Sequence, residues 1–169
     1  MKKRVIAAAL LLCMFLAGCS ARSDNTSVTF YYPRENYTQN AEDSVLKAEQ
    51  RSDLPYKSYF NILSVYLDGP MDILLQNPFP EDLELVDVFI TGRSVVVIFN
   101  DQLAKLSGVQ LSLTCCSIAK TAMELTGTDS CQIRCRAAAF DGKTTIQLTQ
   151  ESILLLDEIP VETNQNTEE

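Results

Sequence analysis

Six cysteines and no histidine bound the chemistry open to this 169-residue chain. Four of the cysteines, Cys115, Cys116, Cys131 and Cys135, fall within 21 positions, and three readings compete for them. A CC…CxxxC set offers four thiolates to a tetrahedral metal ion. On an extended strand, however, Cys131 and Cys135 would stand about 13 Å apart, too far to share one ion unless the segment loops out. A disulfide joining Cys115 to Cys131 or Cys135 is the second reading, open to a chain that is secreted. In the third, Cys115, Cys131 and Cys135 are small apolar core residues, with Cys116 at the margin beside Met123. A nucleophilic cysteine would lack the histidine that usually activates it. No catalytic set, metal or cofactor is expected from these residues.

Other side chains carry weaker signals. Glu81, Asp82, Glu84 and Asp87 lie within seven positions, but their spacing repeats no metal loop, so they read as a solvated acidic face. Tyr31, Tyr32, Tyr56, Tyr59 and Tyr66 could line a binding groove, although strand alternation and helical spacing favour packing at the core edge. Neither a glycine-rich phosphate loop nor a basic aromatic patch is present. The whole-chain net charge is −8. Removing Lys2, Lys3 and Arg4 with a signal segment leaves 11 basic against 22 acidic residues, a net charge of −11. So acidic a surface repels phosphates and argues against nucleic acid.

The elements that must position these residues centre on 111–125. Leu111, Cys115, Ile118, Ala122 and Leu125 recur in steps of four and three, one face of a helix. Ser112, Thr114, Lys120, Thr121 and Glu124 then point elsewhere, and Gly127 supplies the stop. Residues 131–140 should return as a strand, since Cys131-Gln132-Ile133-Arg134-Cys135 alternates. Upstream, residues 28–32 read as a strand closed by Pro33, and 34–43 as a polar loop. Residues 45–51 fit helix or strand. Ser52-Asp53-Leu54-Pro55 reads as an N-cap. Tyr59, Ile62, Leu63, Tyr66 and Leu67 mark a helix ended by Gly69-Pro70. Residues 85–91 and 94–99 form a hairpin about Gly92-Arg93, and the all-apolar second run belongs at the centre of a sheet. Asp141-Gly142 turns the chain into a strand at 144–148, and 153–156 could add a last short one.

The N-terminus carries an address. Met1-Lys2-Lys3-Arg4 precedes an apolar run over residues 5–16 that is short for a membrane span. Leu16-Ala17-Gly18-Cys19 resembles the lipobox of bacterial lipoproteins, in which the cysteine receives a diacylglycerol and an acyl chain such as palmitate. The expected organisation is a lipoprotein signal peptide (1–18), a tether lipidated at Cys19 (19–27), one domain (28–157) and an acidic disordered tail (158–169).

The order of pieces within that domain resembles a known family. It runs from a strand ending in Tyr31-Tyr32-Pro33, through a helix ending in Leu67-Asp68-Gly69-Pro70, to a Pro80-Glu81 turn. A valine-rich hairpin ending at Asn100-Asp101, a second helix and a strand into Asp141-Gly142-Lys143 follow. This is similar to the GerMN domain of sporulation and spore-germination lipoproteins. The resemblance implies that 45–51 is a strand. It implies an α+β fold, two helices on one face of a mainly antiparallel sheet, and a non-catalytic interaction or scaffold module of the cell envelope. Four cysteines in the body are not a hallmark of that family. The expected partner is another envelope or sporulation protein, or a second copy, with the membrane reached through the lipid on Cys19. The sheet edges at 28–32 and 144–148 are the expected docking strands. The alternative is a lipoprotein that binds a small ligand or peptidoglycan in an aromatic pocket near Tyr59 and Tyr66.

Overall fold

Six strands divide between two sheets in the computed structural model, which describes residues 27–35, 45–52, 54–55, 57–140 and 142–157. Strands β1 (Val28–Pro33) and β2 (Leu46–Arg51) pair antiparallel as a two-stranded sheet. Helix α1 (Tyr59–Leu67) follows, then the hairpin of β3 (Leu85–Thr91) and β4 (Ser94–Phe99). A 3₁₀ turn (Leu103–Lys105) leads into α2 (Gly108–Thr126), β5 (Ser130–Cys135), β6 (Ile146–Thr149) and α3 (Gln150–Asp157). The larger sheet runs β3-β4-β5-β6.

The α+β class holds, as does the strand at 46–51, where antiparallel pairing with β1 along all six residues outweighs its helix-forming composition. Strand β4 lies inside the larger sheet, as its unbroken apolar run requires. Four expectations are corrected. The strands form two sheets rather than one, and β4 and β5 are parallel because α2 is the crossover between them. The apolar run at 153–156 belongs to α3, where Ile153 docks into the core. Helix α1 starts at Tyr59 behind Ser58, whose hydroxyl accepts the Asn61 amide at 3.3 Å, rather than behind Ser52. Strand β5 ends at Cys135, because the Asp101 carboxylate accepts the Ala137 and Ala138 amides at 2.9 Å each and turns the chain.

Helix α2 joins the two sheets. It packs against β1 of the small sheet and against β4, β5 and β6 of the large one. Gly127 closes it in the left-handed conformation at φ 67°, with its amide on the Met123 carbonyl. Cys115, Ile118 and Ala122 are buried as their spacing demands. Thr114, Ser117 and Thr121 are buried just as completely. The outward placement read for Thr114 and Thr121 is therefore wrong: a second, hydroxyl-bearing face of α2 is covered.

Candidate functional surfaces

Those hydroxyls have specific work. Thr114 Oγ1 donates to the Pro78 carbonyl at 2.8 Å, tying α2 to the segment before β3. Thr121 Oγ1 accepts the Tyr31 amide at 3.0 Å. The Tyr66 hydroxyl donates to the Tyr31 carbonyl at 2.7 Å. The Pro33 carbonyl accepts the Gln76 amide at 2.8 Å. The side of β1 away from β2 is thus closed by side chains of α1 and α2 and by the chain at Gln76. The docking strand expected at 28–32 is interrupted at Tyr31, whose amide and carbonyl are both already taken.

The tyrosines separate by environment. Tyr66 packs against Phe30, Tyr32 and Phe79 with ring centroids 5.1, 4.9 and 4.9 Å away. Burial raises its hydroxyl pKa well above the ordinary value of 10.0, opposed by hydrogen bonds from Thr121 and Ser117. Tyr32, also raised chiefly by burial, donates to the Tyr66 carbonyl at 2.9 Å. Tyr59 stays at the surface, so Tyr59 and Tyr66 do not share a pocket wall. The Tyr31 hydroxyl reaches Glu124, and Lys120 lies 4.8 Å over its ring. Tyr56 falls outside the described residues.

A buried ion pair braces the end of β2. Arg51 Nε donates to Glu49 at 2.7 Å, with the two side chains only 9% and 11% exposed. The other Glu49 oxygen accepts the Met71 and Asp72 amides at 2.8 and 2.9 Å, while Arg51 also donates to the Gly69 carbonyl at 2.6 Å. The loop so held presents Met71, Ile73 and Leu74 to solvent. Its position is set from beneath by charge-assisted hydrogen bonds.

The four described cysteines are thiols outside any disulfide. Cys115, Cys116 and Cys131 are buried and Cys135 is half-buried. Burial pushes the Cys131 thiol up to about 12. It raises Cys115 further, with the neighbouring Cys116, Cys131 and Cys135 adding to the effect. Cys135 is raised by partial burial, opposed by the Ala104 backbone. Thiols held protonated in this way suit packing rather than nucleophilic or metal chemistry. Among the described residues, no group of three or more His, Cys, Asp or Glu side chains is placed to hold a metal ion. Cys115 and Cys116 also line an apolar cleft of about 320 Å³ with Leu111, Ile146 and Leu148. Cys19 lies outside the described residues, as does the whole acidic tail at 158–169. Among the described residues, no helix is long and apolar enough to cross a membrane.

The surface that sequence reasoning missed is β3. It ends the larger sheet, and Val86, Phe89 and Ile90 are all exposed. A signal was present: Leu85-Val86-Asp87-Val88-Phe89-Ile90 lacks alternation, so apolar side chains must leave both faces of the strand.

Comparison with known proteins bears on the fold. No family model matches the chain, and neither does any curated protein. Among solved structures it is similar to the tandem GerMN domains of the sporulation protein GerM from Bacillus subtilis. That likeness has a TM-score of 0.57 and 21% identity, over 80% of this chain and 49% of that one. The chain thus spans about half the length of the structure it matches. It is also similar to a candidate lipoprotein from Clostridium perfringens, with TM-score 0.45 and 16% identity over 84% of this chain and 99% of that one. The chain carries a GerMN-like domain.

Proposed function

We propose that this chain is a lipid-anchored, extracytoplasmic interaction module of the cell envelope, without catalytic activity, serving sporulation or germination. Cys19 is the anchor, and the short segment before β1 keeps the domain close to the bilayer. The module recruits another envelope or sporulation protein, or a second copy. The observation that carries this reading is the strand β3, an outer strand with Phe89 and Ile90 42% and 43% exposed. The GerMN-like fold, shared with a domain of a sporulation protein, supports the process named here.

The test is crosslinking in cells of a tagged, full-length copy, followed by identification of what co-purifies during growth and during sporulation. Defined envelope partners, or a ladder of self-crosslinks, are expected. Recovery of the protein alone in both states would overturn the reading. Anchoring is tested separately: Cys19→Ser should move the protein from the membrane to the soluble fraction.

The cleft beside Cys115 and Cys116 favours a second reading, a lipoprotein that takes a small apolar ligand. Native mass spectrometry of protein released gently from its membrane would show such a ligand as a discrete added mass that is lost when Leu148→Trp fills the cleft.

A further inference from the structure

We infer that β3 pairs with β3 of a second copy, edge to edge and antiparallel, about a two-fold axis through Phe89. This rests on the interaction-module reading and names its partner and contact strand. The argument begins with which backbone groups face out. The Val88 amide is bonded to the Asp87 carboxylate at 2.8 Å rather than to β4. In an antiparallel ladder the pairing alternates, so Val88 and Ile90 both direct their amide and carbonyl away from β4. Apart from the Val88 amide, which Asp87 occupies, these groups are placed to meet a further strand.

The register follows from two constraints. A bulge between Leu85 and Asp87 interrupts the ladder with β4, so the regular part of the edge is 87–91. Outward residues must meet outward residues, because each pair exchanges amide and carbonyl bonds. A two-fold axis through the middle residue, Phe89, satisfies both. It sets Val88 against Ile90 of the second copy, Phe89 against its own image and Asp87 against Thr91. Apolar side chains meet apolar ones on both faces. The strand's one charge faces a hydroxyl rather than another carboxylate. An axis at Val88 instead extends the pairing into the bulged Val86. The segment is complementary to itself, which an isologous contact requires.

Asp87 acts as a guard on this edge. Its carboxylate occupies the Val88 amide and must release it before a strand can add, which restrains pairing with arbitrary strands. The second copy repays that loss with two backbone bonds at each Val88–Ile90 pair and an aromatic contact at the axis.

Single-cysteine crosslinking in membranes tests this, using the full-length lipidated chain and copper-phenanthroline as oxidant. Phe89→Cys should give a covalent dimer at least ten times faster than Val109→Cys, a site 76% exposed on α2. The unsubstituted protein, whose thiols are buried or half-buried, provides the background. Asp87→Cys and Thr91→Cys should crosslink to each other when co-expressed with distinct tags, and poorly to themselves. Phe89→Lys should abolish co-purification of the two tags while leaving thermal unfolding in place. Equal rates at positions 89 and 109, or tag co-purification unaffected by Phe89→Lys, overturn the self-pairing. A different envelope protein captured at position 89 also overturns it but leaves the interaction module standing. Capture of nothing at any position removes both.

Discussion

The Tyr66 hydroxyl and the Tyr31 carbonyl lie 2.7 Å apart across 35 residues, and with Thr121 they close the edge of β1. One residue of an edge strand has its amide satisfied by one helix and its carbonyl by another. Pro33 has no amide to offer, and its carbonyl is taken by Gln76. The edge of β1 is therefore blocked at Tyr31 and Pro33. The larger sheet ends instead in β3, which shows apolar residues on both faces.

Tyr66→Phe should keep the ring packed against Phe30, Tyr32 and Phe79 and lose only the hydroxyl. The Tyr31 carbonyl would then be buried without its partner, at about 1–3 kcal/mol of unfolding free energy. Chemical denaturation measures this. A loss below about 0.5 kcal/mol would mean that water or a neighbour replaces the bond.

Thr121→Val is nearly isosteric and removes the acceptor for the Tyr31 amide, again at about 1–3 kcal/mol. Because Thr121 and Tyr66 both bond to Tyr31, the double variant should be less destabilised than the sum of the singles by about 0.5–3 kcal/mol. Strict additivity would show that the two bonds act independently.

This network marks the limit of what the sequence displays. The steps of four and three from Leu111 to Leu125 identify α2, because one buried face leaves a periodic imprint. Thr114 and Thr121 leave none, since a hydroxyl reads as solvent-facing unless its partner is known, and Tyr31 is 90 positions from Thr121. The run at 153–156 is ambiguous by periodicity, as short apolar runs are. Its helical reading was nevertheless available in Thr149 and Ser152, each of whose hydroxyls accepts the other's backbone amide at the start of α3. The open β3 edge was visible as missing alternation. Which backbone groups faced out depended on Asp87, and that needed coordinates.

Glu49→Ala would leave Arg51 buried without its carboxylate, and breaking such a pair costs about 3–5 kcal/mol. The same change releases the Met71 and Asp72 amides, so hydrogen exchange at those two positions should accelerate ahead of the rest of the domain. Uniform acceleration would mean global destabilisation without control of the loop. Replacing the pair together, as Glu49→Leu with Arg51→Met, should recover much of the stability and still leave the loop amides unprotected.

Asp101 offers an acid-side test. Its carboxylate accepts the Ala137 and Ala138 amides, and these bonds hold its pKa below the ordinary 3.8, with Arg136 assisting against a small opposing effect of burial. A depressed folded-state pKa means that its contribution is present above pH 3.8 and is lost as pH falls through the lower folded value. NMR titration should show the Ala137 and Ala138 amide signals moving together with a midpoint below 3.8. Asp101→Asn should remove that transition and loosen the chain after β5.

The buried thiols give the opposite sign. Cys131 is raised from 9.0 to about 12 because ionising it inside the core is unfavourable. The unfolded chain releases that proton near pH 9 while the folded chain holds it. The contribution is therefore complete below pH 9 and is lost progressively as pH climbs towards 12. Cys115, also raised by burial, acts in the same direction. Denaturation midpoints should fall between pH 8 and pH 11, and Cys131→Ala should flatten that slope even though its cavity lowers stability at every pH. At pH 8, Ellman's reagent should reach Cys135 first and Cys115 and Cys131 only on unfolding. A slope unchanged by Cys131→Ala would assign the alkaline loss to Tyr32 and Tyr66 instead. Protein isolated from the envelope with only two of these four thiols reactive after unfolding would show that one disulfide forms there, the expected pair being Cys115 with Cys131 or Cys135.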